Sequence, residues 1–252
     1  DMVNGHISVK KKAMACFTEF GKGNLDAKIE QFPGKKAFIN ETIEKVRVNI
    51  KSLVADARML ATAAAEGKLD TRADVTKHEG DFRVIVEGVN RTLDNVIGPL
   101  NVAAEYVDRI SKGDIPPKIT DEYKGDFNEI KNNLNLCIDA VNMLVADAGM
   151  LTKAAAEGRL ETRADASRHG GDFRAVVEGI NNTLDYVLDP INEGARVLET
   201  MATGDLSARV TGDYKGGHAK IKESINTLGD SLSSLISQVL EMTQNVSSIA
   251  LQ

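Results

Sequence analysis

At 252 residues the chain is long enough for one or two globular domains. With no Trp and aromatics at 4%, it lacks the large side chains that fill a thick core, and its Ala, Leu, Val and Ile suit thin helical layers meeting along a seam. A formal net charge of −6 supplies no overall basic footprint for nucleic acid or an anionic membrane.

Cys16 and Cys137 have no metal-ligand spacing and read as two thiols of a reducing cytosol. No run of 18 apolar residues exists, so no bilayer span is expected. The N-terminus shows no signal-peptide pattern, and the chain reads as a fragment of something longer.

Internal repetition sets the organisation. Residues 53–101 and 144–192 align without gaps at an offset of 91, with 32 identities in 49 positions. A half-period lies within that offset. Gly23-Asn24-Leu25, Gly67-Lys68-Leu69, Gly113-Asp114-Ile115, Gly158-Arg159-Leu160 and Gly204-Asp205-Leu206 follow one another at 44, 46, 45 and 46 residues. Gly80-Asp81-Phe82, Gly125-Asp126-Phe127 and Gly171-Asp172-Phe173 recur with them, with Gly217-His218-Ala219 as a degraded copy; so do Asn90, Asn135, Asn181 and Asn226.

The chain therefore divides into five repeats, each helix, connector, helix. In order these are a divergent one at 1–51, an Ala-rich one at 52–97, a proline-bearing one at 98–142, a second Ala-rich one at 143–188 and a second proline-bearing one at 189–235. Residues 236–252 begin a further helix rich in Ser, Gln and Leu. In the first repeat Pro33-Gly34 follows Gly23 early, which shortens the connector.

Gly after an Ala-rich stretch such as 61–66 is the expected left-handed helix stop. The Asp of each Gly-Asp-Phe is placed as N-cap of the next helix, and Asp126-Phe127-Asn128-Glu129 has capping-box spacing. About a dozen residues remain between stop and start, too polar and too short for another core helix.

The second helices carry heptads. Phe82, Val86, Val89, Leu93, Val96 and Leu100 step by 4, 3, 4, 3 and 4, and the run continues through Val107 and Ile110. The register recurs at Phe173, Val177, Ile180, Leu184, Val187, Ile191, Leu198 and Met201, and Phe127, Leu134, Ile138 and Val141 serve the third repeat. Such spacing is a supercoiling signal. Pro99 and Pro190 lie within these runs and predict a local bend or a first-turn position.

A dozen extended residues at roughly 3.3 Å each can climb a 15-residue helix of roughly 22 Å, so the two helices of a repeat can run parallel. Two parallel stripes make half a core, and a second copy of the chain completes a four-helix bundle. Leu69, Ile115, Leu160 and Leu206 are the expected anchors tucking each connector against it.

This constellation resembles the HAMP domain of methyl-accepting chemotaxis proteins and sensor kinases. The matching features are Pro99-Leu100 and Pro190-Ile191 at the start of a first helix, Gly113-Asp114-Ile115 and Gly204-Asp205-Leu206 at its end, a connector, and a heptad helix. The resemblance covers nearly the whole chain and implies an all-α fold of tandem HAMP units, stacked as parallel four-helix coiled-coil bundles in a homodimer. It also implies an intramolecular signal relay from an upstream sensor to a downstream kinase-control module. The partners implied are a second copy and, for the full-length protein, a histidine kinase with its coupling protein. Residues 236–252 would begin an adaptation helix on the cytoplasmic side. The repeats at 52–97 and 143–188 lack the proline and depart from the family pattern.

His78 and His169 occupy equivalent connector places. A titrating or ligand-binding role is weighed against local hydrogen bonding within the connector, which is preferred. The Asn series is placed on an exposed flank in preference to the seam. No Walker, dinucleotide or nucleophile-elbow motif occurs, so no enzyme, no cofactor, no metal and no small-molecule ligand are expected. The alternative reading is a monomeric helical-repeat scaffold that binds a protein partner.

Overall fold

The computed structural model describes residues 2–250, and all regular structure among them is helical. Six long helices follow one another: α1 Met2–Gly21, α2 Ala37–Ala65, α3 Gly80–Ser111, α4 Asp126–Ala156, α5 Gly171–Ala202 and α6 Gly216–Ala250. Single 3-10 turns at Gly34–Lys36, Val75–Lys77 and Ala166–Arg168 lie in the connectors.

Each of α2 to α5 joins the second helix of one repeat to the first helix of the next. A 32-residue helix such as α3 or α5 is about 48 Å long. Pro99 and Pro190 lie inside these helices, not in a first turn. The first-turn alternative is thereby excluded, because the helix is already paired on both sides of the ring and loses one hydrogen bond only.

Two glycines with positive φ bracket the connector in every repeat. The first stops the helix. Gly67 (φ 73°) donates to Ala64 O, while Lys68 N–H reaches back to Ala63 O at 2.8 Å. Gly158 with Arg159, Gly113 with Asp114, and Gly23 with Asn24 repeat the arrangement. This Schellman closure caps the last carbonyls, and only glycine holds its left-handed residue without a Cβ clash.

The second glycine opens the next helix and corrects the capping expectation. α3 and α5 begin at Gly80 and Gly171, with N-caps Glu79 and Gly170 that make no side-chain capping bond. Asp81 and Asp172 fall inside the first turn, where they favour the positive end of the helix dipole without capping it. The positive φ of the glycine makes the sharp entry, so the cap position is already used one residue earlier.

The chain forms two compact units, one comprising residues up to Asp114 with Glu122–Lys131, the other Ile115–Asp121 with Asn132 onward. In the first, α1 packs on α2 and α2 on α3. Arg47 of α2 lies over the Phe20 ring at 5.1 Å and donates to Ala27 O. In the second, α5 packs on α6. One cluster there joins Leu151, Ala164 and Val177, and another joins Val197, Met201 and Val210. The first takes one residue from a first helix, one from a connector and one from the following helix; the second takes two from a first helix and one from a connector, with Ile225 of α6 packed against them. The connector is thus part of the core.

Candidate functional site: the clasped connector and the exposed stripe

The connector is held by the recurrent Asn, whose role differs from the flank position expected for it. Asn90 Oδ1 accepts from Ala73 N–H at 3.0 Å, and its Nδ2 donates to Ala73 O at 2.8 Å. Asn135 does the same to Ile119, Asn181 to Ala164 and Asn226 to Val210. A primary amide carries one acceptor and one donor edge to edge, so it satisfies both backbone groups of a single residue. That residue's own side chain is buried in every case: Ala73, Ile119, Ala164, Val210. In the first repeat the buried Asn40 brackets the connector instead, accepting from Phe32 N–H and donating to Glu30 O. Asn40 and these buried connector residues had escaped the sequence reading; the signal was an Asn 50 residues before Asn90.

A second clasp lies beside the first. Arg72 donates through Nη1 to the carbonyls of Leu69 and Thr71 and pairs with Asp94, four residues after Asn90. Arg163 and Arg209 do likewise, with Asp185 and Asp230. Lys118 pairs with Asp139 in the third repeat. The guanidinium reaches two backbone carbonyls and a carboxylate at once through N–H groups held in a fixed fork.

The connector also folds on itself. Asp74, Asp165 and Asp205 accept from the hydroxyl and backbone N–H of Thr76, Ser167 and Ser207, which holds each carboxyl below its ordinary range.

In the Ala-rich repeats the connector is tied to the first helix as well. His78 Nε2 meets Asp56 Oδ2 at 2.6 Å, and His169 Nε2 meets Asp147 Oδ2 at 2.7 Å. Both imidazoles are 1% exposed. The partners lie 22 residues back on α2 and α4, not within the connector as expected, and neither Asp had been singled out.

The fifth repeat uses Glu193 of α5 in that place. It accepts from the backbone of Thr211 and Gly212, the Thr211 hydroxyl and the Tyr214 hydroxyl. These donors, Tyr214 first, pull its carboxyl down to about 2, while the carboxylate pushes the Tyr214 phenol up.

The heptad residues separate into two sets in the single chain. Val86, Ile138, Val177 and Met201 are buried. Phe82, Leu93, Ile110, Phe127, Leu134, Val141, Ile180 and Leu184 are half-buried. Val89, Val96, Leu100 and Val107 are 42% to 55% exposed, and Phe173, Val187, Ile191 and Leu198 are exposed too. Ile97 and Leu188, one residue beyond Val96 and Val187, are buried without having been named. Among the expected anchors, Leu69 and Leu160 are exposed and Ile115 and Leu206 half-buried. An apolar hollow of about 250 Å³ opens beside Val89, between α2 and α3.

No group of three metal-ligating side chains occurs among the described residues. One described helix, α4, is long and apolar enough to cross a membrane by length and composition. That qualifies the expectation drawn from apolar runs. Its Asp139 and Asp147 are engaged with Lys118 and His169, groups a bilayer core would disfavour.

Comparison with known proteins gives concordant matches. Residues 77–143 and 168–234 match the HAMP domain, two spans separated by the 91-residue period, and residues 9–51 match HAMP N-terminal domain 3. The methyl-accepting chemotaxis protein McpB of Pseudomonas aeruginosa (strain PAO1) is 23% identical over 291 aligned residues, covering 98% of this chain. The chain spans 43% of that protein's length. No solved structure matches.

Proposed function

Since the chain belongs to the HAMP domain family, we propose that it relays a conformational signal along a chemoreceptor, as a parallel homodimer of stacked four-helix bundles. One observation carries this reading: Val89, Val96, Leu100 and Val107 on α3, and Val187, Ile191 and Leu198 on α5, leave an apolar heptad stripe in solvent. Isolated exposed apolar residues need no explanation, but a stripe at coiled-coil spacing on two equivalent helices is half of a seam. An identical chain running in the same direction supplies the other half.

In this reading the five repeats, at 1–51, 52–97, 98–142, 143–188 and 189–235, are bundles in series, and 236–252 begins the output helix. Signal passes because α2 to α5 are shared between successive repeats, so a rotation or shift in one bundle is imposed on the next. The clasped connector moves with the second helix as one body. The exposed stripe, with the expected anchors Leu69 and Leu160, closes the dimer. The role is signalling, not catalysis. The full-length protein acts on a histidine kinase with its coupling protein, from the cytoplasmic side.

A cysteine at Leu93 or Val96 tests this in a chain whose Cys16 and Cys137 are replaced. Mild oxidation is expected to yield an inter-subunit disulfide dimer at both positions. No disulfide dimer at either one contradicts the parallel bundle and favours the monomeric scaffold.

A further inference from the structure

The two Ala-rich repeats each bury one polar pair, Asp56–His78 and Asp147–His169, at equivalent positions 91 residues apart. Asp56 does not lie on a solvated face. It forms part of the wall of the hollow beside Leu53, Ala57, Leu60, Val86 and Val89.

Such a pair is a poor way to gain stability. Removing two ionisable groups from water costs more than their mutual attraction returns unless every remaining polar atom is satisfied. Here His169 Nδ1 is buried with no hydrogen-bond partner, and Arg168 stands 3.9 Å from the other oxygen of Asp147. Leucines in the same places would bury more apolar surface.

The surroundings supply the reason for a pair of this kind. Ala57, Ala63 and Ala73, and Ala154 and Ala164, line these repeats with side chains too small to fix how the helices are turned against one another. Small residues allow several packings of close energy. Turning α2 or α4 about its axis carries its Asp off the imidazole and leaves a carboxylate facing apolar side chains without a partner. The arrangement in which His and Asp meet is the one that escapes that penalty.

We propose that the two His–Asp pairs select a single packing of the Ala-rich bundles and contribute little to their stability. This rests on the dimeric bundle reading above. Each pair acts as a register key: it biases its repeat toward one of the packings that the alanines leave open. Breaking the key releases the alternatives without unfolding the repeat.

The test uses the 252-residue chain with Cys16→Ala and Cys137→Ala, spin-labelled through Tyr186→Cys, an exposed position on α5. The inter-subunit distance distribution and the melting temperature are compared with those of the same chain carrying Asp147→Leu and His169→Leu. The expected result is one narrow distance in the parent, and a broadened or two-peaked distribution in the leucine variant at an equal or higher melting temperature. A single unchanged distance, or a leucine chain that fails to fold, overturns the selector. Sedimentation of the parent keeps the two readings apart. A monomer sinks the dimer and the selector together, whereas a dimer with one distance in both chains sinks the selector alone.

Discussion

The fourth and fifth repeats share one clasp and differ in how they tie the connector to the first helix. In both, an Asn holds one buried connector residue by its backbone, and an Arg gathers carbonyls and pairs with an Asp one turn on. The first-helix tie is a buried imidazole–carboxylate pair in one, Asp147 with His169. In the other it is a carboxylate, Glu193, receiving backbone and hydroxyl donors at the solvent edge. Their cores differ in the same sense: Leu151, Ala164 and Val177 against the bulkier Val197, Met201 and Val210. A common connector–second-helix body, joined by unlike ties to the first helix, gives neighbouring repeats one architecture with different attachments.

Asn181→Leu and Asn226→Leu each strand the N–H and C=O of a buried residue, at a cost of about 2–4 kcal/mol. Denaturant unfolding is expected to show similar losses for both. A negligible loss at either position would mean the connector is held by apolar packing alone.

Gly194→Ala separates the repeats. A Cβ there falls 2.8 Å from Ile225 Cδ1, so α5 and α6 must part or Ile225 must change rotamer. Only a terminal methyl has to move, and the helix preference of Ala over Gly offsets part of that overpacking, so a net loss of about 1 kcal/mol is expected. Gly179→Ala, the control in the fourth repeat, meets nothing within 4 Å and is expected to leave stability unchanged or slightly raised.

Acid sharpens the contrast in the fifth repeat. The Glu193 carboxyl falls from an ordinary 4.5 to about 2 in the folded chain. Its tie therefore contributes in full above pH 4.5 and is lost as pH falls from 4.5 toward 2. Glu193→Gln is expected to be less stable than the parent at pH 7, with the difference closing in that window. A difference that stays constant from pH 7 to pH 2 would show that the carboxylate's charge is irrelevant to the tie.

The smallest effect belongs to Arg163→Lys, which mimics Lys118 of the third repeat. A partly exposed pair loses little, about 0.5–1 kcal/mol. Faster hydrogen exchange around Leu160 and Thr162, whose carbonyls lose the guanidinium, is the more sensitive reading. Unchanged exchange would reduce the guanidinium to a surface charge.

Much of the fold was legible because periodicity reports it directly. Glycines at near-constant spacing marked the stops of α1 to α5, and heptads running across Pro99 and Pro190 announced helices shared between repeats. The connector's attachments were not legible, since they depend on which residues meet after folding. An Asn off the heptad seam looks like a surface residue in sequence, and nothing local reveals that its amide will meet Ala164 17 residues away. Asp147 in an Ala-rich helix likewise reads as a solvated charge until His169 closes on it. The Asp of Gly-Asp-Phe misled because its capping chemistry was right for a helix start two residues later than the one glycine makes.

The mass of the chain in solution tests the central claim most directly. Sedimentation equilibrium at micromolar concentration is expected to give twice the 27.2 kDa of a single chain, because the proposed dimer covers the exposed heptad residues of α3 and those of α5. A compact 27.2 kDa species under the same conditions would contradict it.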